Sequence, residues 1–331
     1  MEQKSTIFDR SFNRQQPAWK TIMICVLLLS PPLIFGIMDG NLGQVFTRGQ
    51  WRGLFLSPVI IIYIILVSPL IAKSGDLAIQ ALKPLIKLED PKFTQLVYKA
   101  NAVKPLYEFI AFAIGFLIGI FSLIRSGSSE LGTWLYTYYL LATSIMYGIL
   151  IWTIFIAVSS TRVNAALHRQ PMEIDILNPT PFEPVGRQSL LLALVFIGGI
   201  TISLIFTFPD VDLTALDFWI SNALLVIFAM LIFFLGMRPT HRLLVSAKNA
   251  ELHPVQTRIN SACRELATQL ERGRDTGQLA SEINALATYE QRLLSARTWP
   301  YNTSMLRTLF FSVFIPLGSI LARIATDIIF P

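Results

Sequence analysis

A few charged and polar side chains inside long apolar stretches have the greatest capacity for chemistry in this sequence. Glu108 lies within the apolar run from Leu106 to Ile124. A carboxylate in the hydrocarbon layer of a membrane is energetically costly, and such groups often handle an ion or a proton. Lys104 precedes Glu108 at the spacing of a local ion pair on a helix. Because Glu108 lies close to one end of the run, the local pair is the favoured interpretation.

Arg323 and Asp327 form a second polar pair, near the end of the last apolar stretch. Their spacing places them on one face of a helix. If that helix crosses the membrane, they form a local pair near its outer surface, which is favoured over their lining a polar cavity. A pore would otherwise use uncharged side chains: Ser57, Ser68, Thr143, Ser144, Thr201, Ser203 and Asn222. The candidate intramembrane polar or pore residues are Glu108, Ser203, Asn222, Arg323 and Asp327.

The histidines and cysteines offer no catalytic or metal-binding arrangement. His168, His241 and His253 all lie in polar segments, and none has a second ligand at metal spacing. Cys25 lies in an apolar run and Cys263 in a polar segment, so a disulfide between them is not expected. The sequence also lacks a glycine-rich phosphate loop and a Gly-x-Ser-x-Gly elbow. We therefore predict no catalytic, cofactor-binding or metal-binding residues, no cofactor and no enzymatic activity.

The composition is that of a membrane protein. Hydrophobic residues make up 53% of the 331 residues and charged residues only 15%, against about 25% charged in a soluble domain. The mean hydropathy is +0.56, and the apolar residues are gathered into long runs. The net charge of +6 comes largely from Lys and Arg that flank these runs. We therefore expect a lipid bilayer as partner and no nucleic acid.

Seven apolar stretches approach the length, about 20 residues, that a helix needs to cross the hydrocarbon core. They are Thr21–Met38, Gly53–Ala72, Leu106–Ile124, Trp134–Val158, Ser189–Phe206, Phe218–Met237 and Leu306–Ile324. Tryptophans near their ends, including Trp19, Trp134 and Trp152, are expected to form an interfacial aromatic belt. The predicted fold class is all-α, a polytopic integral membrane helix bundle with about seven transmembrane helices.

The positive residues predict the orientation of the chain. All but four of the 27 Lys and Arg residues fall in segments that are cytoplasmic if the N-terminus is inside. The exceptions are Arg48, Arg52, Arg125 and Arg323. Short loops rich in Lys and Arg stay on the cytoplasmic side, so this distribution predicts a cytoplasmic N-terminus. The plasma (inner) membrane is taken as the compartment by default.

The polar segment before the last apolar stretch has the pattern of a helical hairpin. Apolar residues in its first half follow helical spacing: Val255, Ile259, Ala262, Leu266 and Leu270. A second stripe consists of Leu279, Ile283, Leu286, Leu293 and Leu294. The glycine-containing turn between the stripes ends one helix and starts the next. The two stripes predict an antiparallel helical hairpin on the cytoplasmic side, with a bend at His253-Pro254.

The predicted organisation has four parts. They are a cytoplasmic N-terminal tail (1–20), a six-helix membrane domain (21–237) with cytoplasmic amphipathic connectors (73–105 and 160–187), the cytoplasmic hairpin (238–300) and a C-terminal membrane helix (301–331). The proline-rich part of the second connector is favoured as a stiff link, because proline excludes helix there. Gly115 and Gly119 form a small-residue pair whose default role is close helix packing within the chain.

Two functions remain open, and a membrane enzyme is the least favoured third. An ion channel or transporter leads narrowly, because the helix count and the prolines in the first and last helices suit transport. The scarcity of charge in the middle of the apolar stretches weighs against it. The alternative is a membrane-anchored sensor or scaffold whose hairpin, residues 241–297, binds a cytoplasmic protein partner. A homo-oligomer is compatible with either function.

Overall fold

A computed structural model of the chain describes residues 18–40, 43, 46, 51–101, 104–126, 132–207 and 216–329. This part of the chain is almost entirely α-helical and has no strand, only one isolated antiparallel bridge between Ile86 and Met172. Its helices are α1 (Ala18–Leu29), α2 (Pro31–Met38), α3 (Trp51–Leu82), α4 (Asp90–Asn101), α5 (Pro105–Ser126), α6 (Thr133–Leu167), α7 (Glu183–Thr207), α8 (Leu216–Glu271), α9 (Gly277–Ser295) and α10 (Thr303–Ile329). The all-α prediction is therefore confirmed for the described residues.

Six stretches of the described residues are long and apolar enough to cross a membrane. They are Trp19–Met38, Trp51–Leu85, Asp90–Ile124, Thr133–Ser159, Thr180–Phe206 and Val226–Glu271. In these stretches the side chains that face outward are apolar, like those that face the protein interior. This is expected where lipid tails rather than water surround the bundle. The chain therefore has the architecture of a multi-pass helical membrane protein. The seventh predicted stretch coincides with α10, whose apolar part with described side chains is Thr303–Pro316.

The first stretch is divided by its prolines. Helix α1 ends at Leu29, and α2 begins at Pro31 after Ser30, because proline favours the first turn of a helix over its interior. At the far end of α2, Asp39 accepts hydrogen bonds from the backbone N–H of Leu135 at 2.8 Å and of Trp134 at 3.3 Å. A carboxylate at the start of a helix supplies acceptors for its unpaired N–H groups. Asp39 thus fastens α2 to the first turn of α6.

The membrane helices form two groups that share α3. In one group α6 packs against α3, α5 and the amphipathic helix α4, and in the other α7 packs against α3, α8 and α10. The second group has a core in which Ile197 of α7, Phe233 of α8 and Leu309 of α10 are each at most 4% exposed. By contrast, α5 packs chiefly on α6 and turns most of its apolar surface outward.

Glycines bring α5 and α6 unusually close together. A methyl group added at Gly119 would lie 2.6 Å from the Cα atom of Ser144, and one added at Gly115 would overlap the backbone of Tyr147. On the facing helix, Gly148 leaves room for the ring of Phe112. These contacts lie within one chain, so the small-residue pair serves intramolecular packing, which was its default interpretation.

A second core lies where the C-terminal parts of α3 and α6 meet the part of α8 that follows Pro239. Leu82 of α3, Leu167 of α6 and Leu244 of α8 are at most 1% exposed, and they pack with Phe93 of α4. The sequence predicted amphipathic connectors here but not their union into one core. Because three long helices share this core, the parts of them that meet there form one packed unit.

The proline-rich connector between α6 and α7 is docked against this second core. Its Phe182 and Ile176 are 1% and 2% exposed. The backbone N–H of Glu173 donates to Leu85 O at 2.9 Å, just after the end of α3. These contacts fix the connector along its length, in keeping with the favoured interpretation of a stiff link.

Candidate functional site

Glu108 lies inside the protein on the first turns of α5. Helix α5 begins at Pro105, and the Glu108 side chain projects towards α6, where it is only 2% exposed. The indole Nε1–H of Trp152 donates a hydrogen bond to Glu108 Oε2 at 3.4 Å. Lys104 is exposed. The hydrogen bond from Trp152 gives Glu108 a partner on the facing helix.

Trp152, which was expected in the interfacial aromatic belt, is buried between helices. Its side chain is 9% exposed and lies well inside α6 rather than at either end. The physical reason is that its N–H has a buried carboxylate partner, so it does not need the headgroup region. Trp19 and Trp134, at 60% and 52% exposed, fit the predicted belt.

Most of the candidate pore side chains satisfy their hydrogen bonds within the protein. Ser57 Oγ and Thr143 Oγ1 lie 3.0 Å apart between α3 and α6, and both side chains are buried. Ser68, Ser144 and Thr201 each donate to the carbonyl four residues earlier on their own helix, at 2.6, 2.7 and 2.9 Å. These hydroxyl groups therefore have hydrogen-bond partners within their own helix or, for Ser57 and Thr143, across one contact between helices.

The remaining candidates are dispersed. Ser203 is half-buried on α7, whereas Glu108 lies on α5, which packs on the other group of helices. Asn222, Arg323 and Asp327 lie on helical backbone in α8 and α10, but their side chains are outside the described part of the structure. Of the sequence candidates, only Glu108 is a described, buried ionisable group within an apolar span.

The most distinctive feature is the point where α8 leaves the bundle. Thr240 is fully buried, and its Oγ1 lies 3.0 Å from Nε2 of His168 at the end of α6. The adjacent His241 stacks on Trp299, with ring centroids 3.9 Å apart, and its Nδ1 lies 3.0 Å from Thr298 O. Helix α8 is therefore held on two sides, by α6 and by the link between α9 and α10.

Residues 241–297, which we call the arm, continue α8 and return through α9. Near the base of the arm, Lys248 Nζ donates to Leu294 O at 2.6 Å and to Ala296 O at 3.3 Å. These are carbonyls at the C-terminal end of α9, which an ammonium group stabilises both by hydrogen bonding and by its charge.

Further polar contacts join the two helices of the arm. The Tyr289 hydroxyl donates to Glu251 Oε2 at 3.1 Å, and Arg258 pairs with Glu282 at 2.8 Å. As the chain advances along α8, its partners on α9 come earlier in the sequence, so the helices run antiparallel. Exposed ion pairs add little stability, so these contacts chiefly fix the register.

Apolar side chains between these polar contacts form the seam of the arm. Ala262 is 4% and Leu293 0% exposed, and the other stripe residues are half-buried with two exceptions. Leu270 and Leu294 were expected in the seam but are 59% and 54% exposed. Leu270 extends past the first residue of its partner helix, and Leu293 takes the inward position next to Leu294.

Sequence reasoning missed the residues that fasten the base of the arm. Thr240 and His168 are 72 positions apart, and Lys248 reaches carbonyls 46 and 48 positions away. The available signal was the polar pair Thr240-His241 directly after Pro239. A second signal was Trp299-Pro300, where the chain returns to the bundle. Residues that lie so far apart along the chain cannot be matched as partners from a single sequence.

The fold is that of a multi-pass helical membrane protein, and α9 packs against α8. Comparison of the chain with protein-family models, with curated proteins and with solved structures finds no match.

Proposed function

We propose that the protein is a membrane-anchored scaffold or sensor whose arm binds a protein partner on the cytoplasmic side. The observation that carries this proposal is the single helix α8, Leu216–Glu271, which belongs to the membrane bundle at one end and to the arm at the other. A displacement of the membrane part of α8 would therefore be transmitted to the arm without an intervening flexible loop.

The contacts at the base of the arm support this function over transport. Thr240 and His241 fix α8 on two sides, and Lys248 fixes the end of α9. A binding element held on rigid helices loses less conformational entropy when a partner binds. The hydrogen bonds among Ser57, Thr143 and the other uncharged candidates weaken the case for a pore through the helices.

The tip is the part of the arm best suited to contact a partner. Leu270 is 59% exposed there, and Arg272 and Arg274 beside it are exposed as well. An exposed leucine flanked by arginines offers both an apolar anchor and groups that pair with carboxylates. The partner surface would therefore be acidic with an apolar recess.

We also infer seven crossings, with the N-terminus and the arm on the cytoplasmic side. The distribution of Lys and Arg supports this orientation, and the length of α10, 27 residues, is sufficient for a seventh crossing. A reporter fused after residue 331 should then be active outside. A reporter that is active only inside would mean six crossings and a last helix that does not cross.

Cross-linking from the arm tests the scaffold function. Cys263 is exposed on the arm, so a photoreactive label on it in a Cys25→Ala chain samples the neighbourhood of the arm in native membranes. We expect one discrete adduct, which Leu270→Asp weakens and Ala250→Asp, near the base, does not. An adduct at twice the 37.2 kDa chain mass would identify a second copy as the partner. Absence of an adduct, or an equal adduct from Tyr98→Cys on α4, would contradict the proposal.

Glu108 supports one second candidate function, proton- or cation-coupled transport. A carboxylate that is 2% exposed within an apolar span is a costly feature of the kind that ion pathways contain. Flux of protons and monovalent cations into liposomes that contain the purified protein tests it. Transport requires flux above that of empty liposomes and its loss in Glu108→Gln, with Glu271→Gln on the arm as the matched control.

A further inference from the structure

The outward face of α8 carries apolar side chains along the membrane and then ends in two arginines. Ile227, Leu231 and Leu235 are 53%, 48% and 56% exposed. Arg238 and Arg242 are exposed too, and they follow Leu235 at the three- and four-residue spacing that keeps side chains on one side of a helix. One face of α8 therefore changes from apolar to basic at the end of the apolar stretch Phe218–Met237 that the sequence predicts to cross the membrane.

The rest of the helix surface at this level is occupied. Thr240 faces His168, and His241 is stacked on Trp299. At about 100° per residue, Arg238 and Arg242 lie roughly opposite Thr240 on the helix. Because the buried contacts of Thr240 and His241 fix the rotation of α8, both guanidinium groups must face the surroundings of the protein.

Neither guanidinium group is neutralised within the described part of the protein. The ion pairs there include Arg187 with Glu183 and Arg258 with Glu282, but none with Arg238 or Arg242. The next acidic residue along α8 is Glu251, more than two turns further on. The two positive charges are therefore available at the level where a span ends, which is where phospholipid headgroups lie.

We propose that Arg238 and Arg242 bind the phosphate-bearing headgroup of an anionic phospholipid, whose acyl chains lie along Ile227, Leu231 and Leu235. A guanidinium group matches the geometry of phosphate oxygens, and basic residues at the end of a membrane span attract anionic lipids. The bound lipid fixes the depth at which α8 leaves the membrane and therefore the level of the base of the arm. The proposal requires only that α8 spans the bilayer, so it stands or falls separately from the scaffold function.

A lipid titration followed by native mass spectrometry tests this site. The purified, delipidated full chain is titrated with dioleoylphosphatidylglycerol, and dioleoylphosphatidylcholine serves as the neutral reference. In Arg238→Gln/Arg242→Gln we expect binding of the first anionic lipid to weaken by roughly thirtyfold, since each of the two basic residues near the surface contributes about 1 kcal/mol. Binding of the neutral lipid should stay the same, and the thermal unfolding temperature shows whether the variant is folded.

Three comparisons make the test decisive. Arg264→Gln/Arg272→Gln removes the same charge from the arm and should leave lipid binding unchanged. Arg238→Lys/Arg242→Lys keeps the charge but not the guanidinium geometry, so it should bind between the wild type and the glutamine variant. Millimolar glycerol phosphate should not displace the lipid, because the acyl chains contribute to binding. Equal loss in both glutamine pairs, no loss in Arg238→Gln/Arg242→Gln, or displacement by glycerol phosphate would each overturn the proposal.

Discussion

At the residue scale, the contact between Glu108 and Trp152 joins two helices through a pair of buried polar groups. The carboxylate is 2% and the indole 9% exposed, so neither has ready access to water. Their hydrogen bond, at 3.4 Å, offsets part of the cost of burying both groups. Each partner therefore explains the presence of the other between α5 and α6.

Removal of the carboxylate should destabilise the α5–α6 contact. In Glu108→Ala the Trp152 N–H loses this acceptor, and we expect a cost of about 1–3 kcal/mol, observed as a lower unfolding temperature in detergent. In a double-mutant cycle, Glu108→Ala should cost less stability in the Trp152→Phe background than in the wild type, because the N–H that loses its acceptor is already absent. Glu271→Ala, at an exposed position, is the control, and strictly additive effects of the two changes would contradict the pairing.

Tyr289 provides a titration that reports on the pairing of the arm. The hydrogen bond to Glu251, partial burial, and the negative charges of Glu251 and Asp175 raise the pKa of Tyr289 above its ordinary value of 10.0. A raised pKa in the folded arm means that the contact stabilises the arm below pH 10 and is lost as the pH rises through the raised value.

An absorbance titration of wild type minus Tyr289→Phe isolates this group among the nine tyrosines. We expect a midpoint above pH 10, and Glu251→Gln should lower it towards the ordinary value. A midpoint that Glu251→Gln leaves in place would mean that the two helices are not paired in this register.

At the element scale, the close approach of α5 and α6 depends on residues without side chains. We expect Gly119→Ala to force the helices apart, because its methyl group would lie 2.6 Å from Ser144 Cα. Overpacking of this kind typically costs about 1–3 kcal/mol, and a thermal unfolding assay in detergent measures it. Gly318→Ala in α10 is the matched control, since its surroundings are open. Equal unfolding temperatures for the two variants would refute the tight interface.

The sequence pattern predicted that the sixth membrane helix continues into the arm, with a bend at His253-Pro254. In the structure one helix, α8, runs through Pro239 and Pro254 to Glu271. Each proline removes one backbone hydrogen bond. The packing of α9 along the arm and the buried Leu244 compensate for that loss, and neither contact is visible in the local sequence.

At the scale of the whole molecule, hydropathy sufficed for the membrane class and for six spans, because the bilayer imposes one length on every crossing helix. The second core was not predictable in this way. Leu82, Leu167 and Leu244 come from distant parts of the chain, and each reads locally as the end of an amphipathic stretch. The same limit applies to the site, since Glu108 was visible in the sequence but its partner Trp152 was not.

The arm continues the membrane helix α8 without a break and is held at its base by His241 and Lys248, so we expect it to be rigid. The most direct measurement is the distance between spin labels on Cys263 and on Tyr98→Cys, in a Cys25→Ala chain reconstituted in lipid. One narrow distance distribution is predicted, and His241→Ala/Lys248→Met should broaden it. A broad or multiple distribution in the otherwise unaltered chain would contradict a fixed arm.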